Sequence, residues 1–150
     1  MTMLDCAKED LSAAKVLRTH DEHAVRICAY HIQQCVEKCL KYIIALNGVK
    51  FPHSRDVGEL YNEASKFGRF IPTEVYDSMD TLTLWESKTR YPQTSFSVNA
   101  KKVDMLIQAC EGWITRLTQD IPEPVAAPAT FKPNIASEDE IQAKLREIGL

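Results

Sequence analysis

The chain has 150 residues, of which 45% are hydrophobic and 26% charged, and its 18 Lys and Arg stand against 21 Asp and Glu. That balance fits one ordinary globular domain and argues against a disordered, collagen-like or membrane-spanning chain. A net charge of -3 gives no bulk electrostatic basis for tight duplex binding. Only 5 glycines speak against a turn-rich all-β fold.

Residues 3–19 read as a first helix. Leu4, Ala7, Leu11, Ala14 and Leu17 recur at steps of three and four, while Lys8, Glu9, Asp10 and Lys15 fall outside the stripe. Thr19, His20, Asp21 and Glu22 form a polar turn. A second helix spans 21–46, with Ala24, Ile27, Cys28, His31, Ile32, Cys35, Val36, Cys39, Leu40, Ile43 and Ile44 on an apolar face wide enough for several neighbours. Asn47-Gly48 stops it as a C-cap. A loop with Pro52 covers 49–56, and a third helix covers 57–67, turning Val57, Leu60, Tyr61 and Ala64 inward before Gly68.

Thr73, following Pro72, is the expected N-cap of a fourth helix. That helix points Val75, Met79, Leu82 and Trp85 inward and ends before Pro92, which disfavours helix at the preceding residue. After a polar loop, residues 98–119 form a fifth helix striped by Val103, Leu106, Ile107, Cys110, Trp113, Ile114 and Leu117. No segment alternates with period two. Short connections between amphipathic helices give an all-α, antiparallel up-and-down bundle over residues 1–120.

Residues 121–136 then read as an extended Pro/Ala-rich linker, with Pro122, Pro124, Pro128 and Pro133. In 137–150, Ser137 and Glu140 suit a capping box, Ile141, Leu145 and Ile148 line one face, and Gly149 is a stop. A helix this short needs something to dock on.

The N-terminus enters charged residues directly, without the apolar core of a secretory signal. No run approaches the ~18 apolar residues of a membrane span. The expectation is a cytoplasmic protein with no membrane contact. Five cysteines, Cys6, Cys28, Cys35, Cys39 and Cys110, are odd in number, and three share one helix. Free, mostly buried thiols follow.

His31, Cys35 and Cys39 spread over about 12 Å of helix axis, at roughly 1.5 Å per residue, so they cannot converge on one ion unaided. No metal and no cofactor is expected. There is no Gly-rich phosphate loop and no GxSxG. Lys101-Lys102 reads as a solvated face. Gln33, Glu37 and Lys41 form one ridge of the second helix, and Gln34, Lys38 and Tyr42 the next. The ridges suit either a polar seam between helices or a wall of a groove or dimer interface.

The run AYHIQQCVEKCLK, residues 29–41, resembles the QQxxEKxLK signature of HEPN domains through Gln33, Gln34, Glu37, Lys38 and Lys41. AKEDLSAAKVL before it, and FPHSRDVGEL and ESKTRYP after it, are similar to further family segments in the same order. The resemblance covers about residues 3–118. It implies a bundle of four to five helices, a homodimer, and an association with nucleotides or RNA. A nucleotidyltransferase partner, as in a toxin–antitoxin pair, is also implied.

Active HEPN nucleases carry Arg, four to six residues, then His. Arg90 matches the arginine, but the following YPQTSFSV holds no histidine. The reading is therefore a noncatalytic module, with a metal-independent ribonuclease toxin or a pure protein-interaction module as alternatives. Arg26 and His31 match the spacing literally, but five residues of helix point them apart. His53, Arg55, Arg90 and Tyr91 form the expected ligand-facing set. Arg90 and His53 are the weak candidates for catalysis, and Glu86 is placed to orient Arg90.

Overall fold

The computed structural model describes residues 1–21, 24–89 and 97–119, and there the chain is helical with no strand. Six helices follow in order: α1 (Met3–His20), α2 (Val25–Leu46), α3 (Val57–Ser65), α4 (Thr73–Asp77), α5 (Met79–Lys88) and α6 (Ala100–Gln119). The expected all-α bundle is observed.

α1 starts on a reciprocal cap. The Thr2 side chain accepts from the Asp5 amide, and the Asp5 carboxylate accepts from the Thr2 amide at 2.9 Å. Leu4, Ala7, Leu11 and Ala14 are buried against α2, as the stripe requires. The turn is shorter than its polar residues suggest, because α1 continues to His20 and Asp21 caps it. α2 runs antiparallel to α1 and contacts α1, α3, α5 and α6, so it is the central helix. Cys28 donates to the Ala14 carbonyl across this hairpin. Gly48, at φ 73°, takes the left-handed conformation that ends α2.

α6 returns antiparallel to α1, with Lys15 on Glu111 and Arg18 on Asp104 along the outside. All seven residues of its predicted stripe are buried, Trp113 completely. Its cap is Asn99, which accepts from the Lys101 and Lys102 amides. Cys35, Cys39 and Cys110 lie in the core. For Cys35 the hydrogen bond with Cys110 lowers the pKa, but the one with Cys39 and burial prevail and push it well up. For Cys110 the bond with Cys35 and burial act together upward. Both are protonated packing residues.

Four expectations are corrected. The fourth helix is two: it breaks at fully buried Ser78, where the sequence has neither glycine nor proline. Thr73 is the first residue of α4 rather than its cap, and Pro72 occupies the cap position with no side-chain bond. Asp10, placed outside the apolar stripe, is only 9% exposed because α2 supplies it with two partners, the His31 imidazole and the Lys38 ammonium. Ile27, assigned to the core, is 52% exposed on the opposite side of α2.

The linker and helix expected at 121–136 and 137–150 lie outside the described residues, as do Arg90, Tyr91 and Pro92.

Candidate functional site

The QQxxEK run of α2 builds a polar seam. Gln33 is fully buried, and its Oε1 accepts from Gln34 Nε2 at 2.7 Å. The same Gln34 nitrogen reaches Glu37 Oε2 at 3.2 Å. Glu37 is buried and holds Lys41 Nζ at 3.0 Å, the expected i, i+4 pair. Lys41 also sits over the Phe51 ring, 5.3 Å from its centroid. Buried Phe51 thereby anchors the loop between α2 and α3, a role that its place in a proline-containing loop did not signal.

On the α1 side of the same helix, the two Asp10 oxygens are shared between His31 Nδ1, at 2.9 Å, and Lys38 Nζ. A carboxylate only accepts, so Nδ1 carries the imidazole proton and donates it. Burial lowers the Lys38 pKa, but the Asp10 hydrogen bond and charge outweigh it, and the net shift is upward. Among the described residues no group of three or more His, Cys, Asp or Glu is arranged to hold a metal ion.

An open recess of about 370 Å³ is lined by Ile27 and Tyr30 of α2, Arg55 of the α2–α3 loop, and Thr89 at the end of α5. Each wall is set by local structure. Asp56 caps α3 by accepting from the Gly58 and Glu59 amides, and its own amide is held by Ser54 Oγ at 3.0 Å. Arg55 is carried on this pinned turn. Its guanidinium is exposed and makes no ion pair among the described residues. Thr89 donates its hydroxyl proton to the Trp85 carbonyl, which leaves its oxygen as an acceptor. Arg26 Nη2 donates to the Lys88 carbonyl at 3.0 Å and ties the start of α2 to the end of α5. Tyr30 stands edge-on to His31, with ring centroids 5.4 Å apart.

Of the expected ligand-facing set, Arg55 lines this recess and His53 is exposed two residues earlier on the same loop. Arg90 and Tyr91 follow Thr89 directly in sequence but are not among the described residues. Arg26 and His31 do not form a site together: Arg26 reaches α5 and His31 reaches α1. Sequence reasoning missed Ile27, Tyr30 and Thr89. The available signal was the ridge of residues 27, 30, 34, 38 and 41, which winds along α2 opposite its most apolar stripe.

The HEPN domain family model matches residues 2–119 of this chain. A protein of Methanocaldococcus jannaschii named "Putative toxin MJ1304" is 47% identical over 45 residues, a stretch covering 30% of this chain and 28% of that protein. No solved structure matches.

Proposed function

This chain belongs to the HEPN domain family, and on that premise we propose that it is a noncatalytic module that binds a nucleotide or a nucleic acid and works with a partner protein such as a nucleotidyltransferase. The observation that carries this reading is the uncommitted Arg55 guanidinium on one recess with Tyr30 and Ile27. A guanidinium recognises phosphate through paired donors. A tyrosine ring offers a base a stacking face, and Thr89 offers an acceptor to a ligand hydroxyl or amine. Arg90 and Tyr91 would add a second cation and ring next to Thr89. The volume of the recess lies at the small end of ligand pockets, suited to one nucleotide unit.

Titration of the full chain with AMP, ATP and a fluorescein-labelled single-stranded RNA tests this. Arg55→Ala should weaken binding by about 1.5–3 kcal/mol, as for a hydrogen bond to a charged group. Tyr30→Ala should cost about 1–3 kcal/mol, as for a stacked base. Equal binding by the parent and both variants would remove the recess as the ligand site. The family also supports a two-fold dimer and a cytoplasmic setting. Light scattering should therefore give twice the 17.0 kDa chain mass, and a concentration-independent monomer would exclude the dimer.

A second reading is favoured by the relative's printed name and by the nearness of His53 to Arg55 in the α2–α3 loop. In it the chain is a metal-independent ribonuclease toxin whose acid–base histidine has moved from the stretch after Arg90 to position 53. Histidine would move the proton and arginine would stabilise phosphate charge. The noncatalytic reading expects no robust RNA cleavage in EDTA at neutral pH. Cleavage lost in both His53→Ala and Arg90→Ala would replace it with the toxin ribonuclease.

A further inference from the structure

We propose that His31 is a phosphoryl-acceptor site: its Nε2 takes a phosphoryl group from a small phosphoryl donor, and Asp10 is the positioning residue behind it. This site stands independently of the function proposed above.

The tautomer of His31 is set by its partner. Nδ1 lies 2.9 Å from Asp10 Oδ1, and an ionised carboxylate only accepts, so the imidazole proton sits on Nδ1. The lone pair is then on Nε2. That nitrogen makes no hydrogen bond among the described residues, and it is not one of the buried side-chain atoms left without a partner. With 26% of the side chain exposed, Nε2 reaches solvent. His20 and His53 are more exposed. Neither of their side chains has a hydrogen bond or ion pair among the described residues, so nothing there fixes a tautomer.

Asp10 does more than orient the ring. Attack by Nε2 turns the imidazole into an imidazolium, and the carboxylate on Nδ1–H stabilises the charge that forms, as a buried carboxylate does behind a catalytic histidine. Asp10 is largely buried, so solvent screens this interaction weakly. Lys38 holds the other carboxylate oxygen. Its ammonium is committed there and is no anion site of its own. Its charge nevertheless cancels that of Asp10, so the pair does not repel an anionic donor. Cys6 of α1 is close enough to feel both charges, but it does not compete as a nucleophile. Burial pushes its thiol pKa up against the opposing effect of Lys38, so the thiol stays protonated at neutral pH.

With phosphoramidate as the donor the step balances. The Nε2 lone pair forms the new N–P bond. The bond from phosphorus to the ammonium nitrogen of phosphoramidate breaks, and that electron pair leaves with ammonia. The proton on Nδ1 stays in its hydrogen bond to Asp10, and the product is an imidazolium bearing a phosphoryl dianion.

The test treats the full chain with potassium phosphoramidate at neutral pH, with no enzyme added. Phosphorus NMR distinguishes attachment at Nε2 from attachment at Nδ1, and peptide mass spectrometry at alkaline pH assigns the histidine. The expected result is labelling of His31 on Nε2 roughly tenfold faster than of His20 or His53, the rate factor for stabilising the forming imidazolium through one charged hydrogen bond. Exposure alone would give the opposite order. Asp10→Asn keeps an acceptor for Nδ1–H but removes the charge, so it should slow His31 by roughly the same factor while attachment stays on Nε2. His31→Gln should remove the fast phase and leave the slow labelling of the other histidines.

Labelling of His20 or His53 ahead of His31 would overturn the proposal, as would attachment of His31 through Nδ1. So would an unchanged His31 rate in an Asp10→Asn chain that keeps the circular dichroism of the parent. If Asp10→Asn does not fold, the order of labelling and the atom labelled in the parent decide alone.

Discussion

Asp10 serves two donors at once, His31 on one oxygen and Lys38 on the other, from a largely buried position. Removing it strands both on the seam between α1 and α2. Asp10→Ala should therefore cost about 1–3 kcal/mol in urea unfolding at pH 7, the penalty for leaving donors unmade. The pH dependence follows from Lys38, whose pKa is raised in the folded chain. A raised lysine contributes its full stability below the ordinary lysine pKa of about 10.4 and loses it as pH rises through the folded value. The gap between the parent and Asp10→Ala should therefore hold from neutral pH to about 10 and narrow above it. A gap that instead closed between pH 7 and 9 would show that Lys38 is not the partner that matters. Asp5 has the opposite sign. The Thr2 backbone hydrogen bond lowers its pKa, so its contribution at the start of α1 is present above the ordinary carboxylate value and lost as acid protonates it.

At the scale of the element, the break between α4 and α5 is the feature least written in the sequence. Ser78 is fully buried there, and its Oγ has no hydrogen-bond partner among the described residues. Neither new helix end gains a side-chain cap from it. A buried hydroxyl without a partner is a cost, so Ser78→Ala should leave stability unchanged or raise it by up to about 1 kcal/mol. Loss of more than that in thermal unfolding would mean that Oγ does bond within the core. The glycine stops were visible in advance, whereas the N-caps Thr2, Asp56 and Asn99 were not read from the sequence. Asn47-Gly48 ends α2 because Gly48 tolerates φ 73°, and Gly68 turns the chain after α3 at φ 67°.

At the scale of the whole molecule, the buried apolar residues of α1, α2, α3, α4, α5 and α6 form one continuous cluster among the described residues. Deleting residues 121–150 should leave a folded, helical bundle with a small loss of stability, read by circular dichroism and thermal unfolding. An aggregated or unfolded product would place the tail in the core and move the domain boundary. The central position of α2 explains why a single helix both closes the core and lines the candidate recess. It contacts α1, α3, α5 and α6, while Ile27 and Tyr30 near its start line the recess.

Periodicity by itself determined that Leu4, Ala7, Leu11 and Ala14 of α1 and the whole stripe of α6 would be buried, because a stripe repeating at three and four leaves an amphipathic helix one way to face a core. It also determined the all-α class and the order of the helices, since caps and breakers act within a few residues of themselves. The fates of Asp10 and Ile27 were not decided locally. A carboxylate is tolerated inside only where another helix supplies donors, and His31 and Lys38 lie 21 and 28 residues further along the chain. An isoleucine near the start of a wide apolar helix is exposed or buried according to how far its neighbours extend over it. The recess has the same origin. Tyr30, Arg55 and Thr89 come from a helix, a loop and a helix end, and only the packing of α2 against α3 and α5 brings them to one surface.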